Sequence, residues 1–229
     1  MKVLMVMTSH DQLGDTGRKT GIWLEEFAAP FYVLTDAGID VVLASPKGGQ
    51  PPIDPSSEVE SALTEATQRF EKDSKTQALF ASTLSLKSVS AHEFDAVFYP
   101  GGHGPLWDLV SDEDSHRLLE SFIFQEKLIA AVCHAPIVLL NLGNPFGKSF
   151  LDGRQVTGFS NAEETLVGLT EIVPELLEDA LISKGGIYSK ADLDFAPHVV
   201  VDGHLITGQN PASSASAAER LVEMLASPK

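Results

Sequence analysis

The sequence predicts an α/β fold: a doubly wound, mostly parallel sheet flanked by helices, with one small insertion at about 46–93. Three observations predict it. Residues 2–8 form a continuous apolar run, the pattern of a strand buried on both faces. A helical stretch then leads to a second apolar run at Ile39–Ala44, and strand, helix and strand with a short return make a βαβ unit. The same alternation resumes beyond the insertion and continues to the end of the chain.

Each element has a local reason. From Gly21, the side chains of Trp23, Leu24, Phe27, Phe31 and Leu34 share one helical face, and Ala37-Gly38 closes the helix. The insertion opens with Pro and Gly, continues with polar helical material around Glu58–Glu71, and carries a weaker apolar segment at Ala78–Leu86. It has too few large apolar residues for a core of its own, so it should pack beside the sheet, and 1–229 reads as one domain. Asp95–Tyr99 is a strand running into Gly101-Gly102-His103-Gly104, and Ser115–Phe124 is a helix. Leu128–Val132 is another buried strand, ending directly at Cys133. A helix from Ala135, a strand near Gln155–Gly158 and a helix around Glu175–Ile182 should follow. His198–Val201 and His204–Thr207 form a hairpin turning at Asp202-Gly203, and a helix from about Ser213 to Leu225 ends the chain.

Bulk composition narrows the function. Sixteen basic against 32 acidic residues give a formal charge of −16. Such a surface repels phosphate backbones and anionic lipid, so neither nucleic acid nor membrane is the expected partner. A hydrophobic fraction of 43% supports a substantial core. The single cysteine excludes an intramolecular disulfide framework, and residues 1–9 are too short an apolar run for a secretion signal. The chain therefore reads as cytoplasmic. Its seven histidines include no His-x-His or His-Glu-x-x-His spacing, so no metal site is expected.

In open α/β sheets functional groups gather at the carboxyl ends of strands. Three such places carry unusual residues. Ala130-Ala131-Val132-Cys133-His134-Ala135-Pro136 sets small residues around a thiol between a strand and a helix. Small neighbours permit the tight turn of a nucleophile elbow, and a helix N-terminus there would lower the thiol pKa and offer amides to an oxyanion. Tyr99-Pro100-Gly101-Gly102-His103-Gly104 suggests backbone in close approach to a ligand, with the Gly102 N–H facing that of His134 as an oxyanion hole. His103 either lines this pocket or caps a neighbouring backbone group. Glu25 and Glu26 separate on a helical wheel at ~100° per residue. Glu25 points away from the apolar face, whereas Glu26 lies near its edge beside Ile22 and Pro30, where partial desolvation would suit a general acid or base.

Together these residues resemble the ThiJ/PfpI superfamily, which has a flavodoxin-like, class I glutamine amidotransferase-like fold, and more narrowly its glyoxalase III (heat-shock protein 31-like) branch. The resemblance rests on Thr20-Gly21 with Glu26 and Pro30, Gly101-Gly102-His103-Gly104 with Asp108, and Ala131-Val132-Cys133-His134. It continues with Thr157-Gly158-Phe159, Glu163-Glu164-Thr165 and Thr207-Gly208-Gln209-Asn210-Pro211-Ala212-Ser213. It implies that Cys133 is the nucleophile and His134 its base. The acid that orients the histidine falls on Glu164, directly before Thr165, although the adjacent Glu163 leaves the position open by one residue. Glu26 corresponds to a buried glutamate that touches the cysteine. Ala135 departs from the glycine that relatives often carry after Cys-His, which should narrow the pocket slightly.

The implied reaction converts methylglyoxal or glyoxal to lactate or glycolate without glutathione, cofactor or metal, and the implied assembly is a homodimer. A protein or nucleotide deglycase, a peptidase, or a stress-induced chaperone or cysteine redox sensor would use the same fold. Glutaminase chemistry is disfavoured because no His-x-Glu occurs in the chain.

Overall fold

The computed structural model describes residues 1–144 and 146–227. Strand β1 (Lys2–Val6) leads through a long loop to helix α1 (Leu24–Asp36) and strand β2 (Asp40–Ser45). The insertion contains helices α2 (Glu65–Lys72) and α3 (Ser74–Phe80) and strand β3 (Leu84–Ser85). Strand β4 (Ala96–Tyr99), helix α4 (Glu113–Phe124) and strand β5 (Leu128–Val132) follow. Then come β6 (Gln155–Val156), α5 (Asn161–Leu166), α6 (Leu177–Ser183), β7 (Ile187–Tyr188), β8 (Val199–Asp202), β9 (Leu205–Gly208) and α7 (Ser214–Ala226).

Seven strands form one sheet in the order β3-β2-β1-β4-β5-β9-β8. Every neighbouring pair in it is parallel except β8 and β9. The winding reverses at β1, which lies between β2 and β4, so the carboxyl ends of β1, β4 and β5 open side by side. Alternation along the strands divides the core. Val3, Met5, Phe98, Ala130 and Val132 face α1 and α7, while Leu4, Val6, Tyr99, Ala131 and Cys133 face the layer that contains α4 and α6. Both faces are covered, which explains why these strands read as continuous apolar runs instead of alternating ones.

Four expectations are corrected. The insertion does more than pack beside the sheet: its apolar segment supplies β3 as an edge strand, with Ala44 opposite Leu84. The expected helix from Ala135 is only a 3₁₀ turn, Ala135–Leu139. Pro136 suits a first helical turn, but the chain bends away through Gly143 before further turns can form. The strand near Gln155–Gly158 is limited to β6, which pairs with β7 in a separate two-stranded sheet. Helix α5 is the fourth difference. The Ser160-x-x-Glu163 spacing that opens it is a capping box, with side chain and backbone bonded reciprocally, and the signature was available in the sequence.

The insertion is tied to the core by aromatic packing. The Phe27 ring of α1 lies 4.9 Å from Phe80 and 5.6 Å from Phe70, centroid to centroid, and the last two lie 5.5 Å apart. Pro52 O and Ile22 O in turn accept from Ile22 N and Asp54 N at 2.9 and 2.8 Å, so the insertion also fixes the entry to α1. Phe80→Ala is therefore expected to lower unfolding free energy by about 3–5 kcal/mol. Urea denaturation monitored by circular dichroism measures this; a loss below about 1 kcal/mol would mean that the insertion is peripheral to the core.

Candidate active site

Cys133 follows the last residue of β5 and adopts φ +58°. That left-handed conformation costs a side-chain-bearing residue roughly 1–2 kcal/mol, so neighbouring bonds must over-determine it. They do: Cys133 N–H donates to Gly208 O and Cys133 C=O accepts from Phe159 N–H, each at 2.9 Å. The turn is thus held between β9 and the segment that enters α5.

The glycine run after β4 is required by the same crowding. A Cβ at Gly101 would lie 2.5 Å from Val132 O and 2.9 Å from Cys133 Cβ. Gly102 has φ +88°, and a Cβ there would lie 2.4 Å from Gly21 O. Asp108 braces the rim from outside, accepting from Thr8 Oγ1 and Ser9 N–H at 2.7 Å each.

Three segments bring a histidine–carboxylate–histidine cluster beside the thiol. His134 Nδ1 lies 3.3 Å from Cys133 Sγ, and His134 Nε2 lies 2.6 Å from Glu164 Oε2. His103 Nε2 lies 2.9 Å from Glu164 Oε1, so the partner of His103 is a carboxylate and not a backbone group. Of the two adjacent acids, Glu164 faces the imidazoles. Glu163 turns to the other side of α5, where it accepts from Ser160 N–H and Oγ, Phe195 N–H and Asn210 Nδ2. The Phe159 ring packs on His134 at 4.4 Å between centroids.

The charge states follow from these partners. Burial pushes the Glu164 carboxyl up, but the bonds from His103 and His134 outweigh it and hold the group well below the usual carboxylate range. An ionised carboxylate only accepts, so both Nε2 atoms carry the protons. His134 Nδ1 is then left unprotonated and faces the thiol. Burial, reinforced by the neighbouring His103, pushes the His134 imidazole down to about 4 against the pull of Glu164.

Glu26 is completely buried; Oε2 accepts from Gly101 N–H at 2.8 Å, and Oε1 has no hydrogen-bond partner among the described residues. Burial pushes its pKa up to about 8, while contacts from the Cys133 thiol and the Gly101 and Gly102 amides pull the other way. The thiol itself is pushed well up by burial and by the Glu26 charge, with the Gly102 N–H opposing. This corrects the expectation of a thiol acidified by a helix N-terminus: the turn at Ala135–Leu139 is short, and desolvation dominates. Glu25 lies on the other side of α1 and bonds Thr64 Oγ1.

His103, His134 and Glu164 also form a set whose donor atoms all lie within 4.8 Å of one another, a donor set that could take a metal ion. Sequence spacing could not reveal it, since each member comes from a different segment. At 2.6 and 2.9 Å, however, each carboxylate oxygen is engaged by an imidazole nitrogen, and a metal would have to replace both bonds. Among the described residues, no helix is long and apolar enough to cross a membrane.

A strand-end cysteine in a left-handed turn, backed by a histidine and a carboxylate on a doubly wound sheet, defines a class of α/β protein built around a buried thiol. Residues 20–224 match the DJ-1/PfpI family, and the chain belongs to it. Candida albicans Glyoxalase 3 is 26% identical over 229 residues, covering 97% of both chains. Glutathione-independent glyoxalase HSP31 of Saccharomyces cerevisiae is 29% identical over 232 residues, covering 98% of both. Among solved structures, the Rapid Encystment Protein 24 KDa of Francisella tularensis superposes with a TM-score of 0.93 at 36% identity, covering 99% of each chain. Glyoxalase III from Candida albicans superposes at 0.90 with 26% identity, covering 97% of this chain and 96% of that one.

Burial of Glu26 should be visible in stability. Its folded pKa of about 8 exceeds the ordinary value of 4.5, so its contribution is fully present below pH 4.5 and is lost as pH rises to 8. Glu26→Gln, which stays neutral, should therefore melt near the wild-type temperature at pH 4.5 and about 5 °C or more above it at pH 8.5. Calorimetry across that range checks the sign; a gain that is largest at low pH would refute the burial of a neutral carboxyl.

Proposed function

We propose that the protein is a glutathione-independent glyoxalase that converts methylglyoxal to lactate and glyoxal to glycolate. The observation that carries the reading is the continuous contact from Cys133 Sγ to His134 Nδ1 at 3.3 Å and from His134 Nε2 to Glu164 at 2.6 Å, beneath a buried Glu26. Relatives named as glyoxalases align over 97–98% of the chain, which supports the same reading.

The buried, protonated thiol means that the nucleophile is generated as it attacks. His134 Nδ1 takes the Sγ–H proton while Sγ bonds to the aldehyde carbon C1, giving a hemithioacetal. The Gly102 and His134 amides hold the developing oxyanion. His134 passes its proton to that oxyanion, giving the hemithioacetal hydroxyl. A base, either the neutral His134 or ionised Glu26, then removes the C1 proton and delivers it to the C2 carbonyl oxygen as the electron pair forms the C1–C2 double bond of an ene-diol. Protonation of C2 leaves a thioester, so C1 is oxidised and C2 reduced within one molecule. Water hydrolyses the thioester, releasing lactate and regenerating the thiol. Glu26 carries a pKa near neutrality, which suits a group that both accepts and returns a proton. The expected assembly is a homodimer, which rests on the family resemblance, and the expected compartment is the cytoplasm, which rests on the cysteine usage.

Methylglyoxal consumption with lactate formation, in the absence of glutathione and added metal, tests the reading. Wild type should turn over, while Cys133→Ala should lose at least about 10³-fold in kcat with an unchanged circular dichroism spectrum. Glu26→Gln should also lose turnover, because the amide cannot move a proton. Lactate production retained in Cys133→Ala would eliminate the mechanism.

A further inference from the structure

We infer that His103 is a positioning residue for this chemistry: by donating to Glu164 Oε1 it locks the carboxylate that keeps His134 oriented toward Cys133. The inference rests on the proposed function and assigns His103 a part other than binding substrate.

Four observations converge. His103 is only 7% exposed, and its Nε2 lies 2.9 Å from Glu164 Oε1. The other oxygen of that carboxylate is taken by His134 Nε2 at 2.6 Å. A carboxylate held at one oxygen can still rotate about its terminal bond; held at both, by donors from different segments, it cannot. The second imidazole therefore supplies what a single His134–Glu164 bond lacks.

The third observation is packing. The His134 ring packs against both His103, at 4.1 Å between centroids, and Phe159, at 4.4 Å, which lie 6.2 Å from each other and so meet it on adjacent sides. Movement of the base toward either ring is blocked, so two of its sides are fixed by packing. The fourth is that His103 is itself fixed by backbone: His103 O accepts from Leu106 N–H at 3.1 Å, and Gly104 N–H donates to Gly21 O at 3.3 Å. The loop after β4 thus transmits its position, through one hydrogen bond, to an acid in α5. A misoriented base or wrong tautomer is expensive in triad chemistry even where every group is present.

Because Cys133 is the only cysteine, its alkylation by iodoacetamide reports thiol activation without any reference to the aldehyde substrate. Three proteins are compared at pH 7: wild type, His103→Leu and His103→Gln, the last of which can still reach Glu164 with an amide N–H. His103→Leu should alkylate about tenfold more slowly and lose about tenfold or more in methylglyoxal kcat, with KM within about twofold. His103→Gln should stay within about threefold of wild type on both counts. If His103→Leu fails to fold, His103→Asn, polar but too short to reach Glu164, takes its place in the comparison. Equal alkylation rates in the folded variants, or a Gln variant as slow as the Leu variant, overturn the inference. A wild type that makes no lactate, yet shows slow alkylation in Leu and rescue in Gln, removes the glyoxalase reading and leaves the positioning role standing.

Discussion

The left-handed turn at Cys133 is the constraint on which the site depends. At φ +58° the thiol leaves the line of β5 and faces the layer beneath the carboxyl ends of the strands. The conformation is sustained from two directions, by Gly208 at the end of β9 and by Phe159 ahead of α5. Both segments also carry site groups: Phe159 packs on His134, and the helix it leads into presents Glu164. Closing the turn and bringing His134 to Glu164 are consequently one event. The same crowding requires Gly101 and Gly102, whose missing side chains let β4, β5 and the approach to α1 meet within contact distance.

Burial then governs the chemistry. A dry site tolerates few charges, and the carboxyl facing the imidazoles, Glu164, is held ionised by two imidazole donors. His134 stays neutral, Glu26 stays largely protonated near neutrality, and the thiol keeps its proton. The result differs from a preformed thiolate–imidazolium pair. A neutral imidazole beside a protonated thiol is the arrangement of a hydroxyl-type triad, in which charge appears only as a bond forms. Glu26, with Oε2 bonded to Gly101 and Oε1 unpaired among the described residues, is the other buried titratable group beside the thiol.

Much of the architecture was legible from local pattern. β5 ends at Val132 as read, and the β8–β9 hairpin forms as read with its turn one residue later than Asp202-Gly203, at Gly203-His204, since Asp202 still pairs with Leu205. These segments are buried on both faces or closed by a defined turn, so composition alone marks them. The segment after Cys133 misled because small and apolar residues suit a helix, a 3₁₀ turn and a buried loop equally well. Helix α5 was missed although Ser160 and Glu163 spell its cap, since six residues are too few for a periodic signal.

The sequence by itself determined where the thiol and its neighbouring imidazole stand and which strand ends carry them, because one cysteine stands at the close of an apolar run beside His134. It also marked Glu26 as the inward member of an acidic pair, since helical periodicity is a local property. Only the tertiary structure decided which acid faces the base, how His103 joins it, and whether the thiol is acidified or suppressed. Those outcomes depend on Glu26 meeting Gly101 across 75 positions, His103 meeting Glu164 across 61, and His134 meeting Glu164 across 30. Hydrogen bonding and desolvation act through space, and the distances that set them exist only once the sheet has brought the three strand ends together.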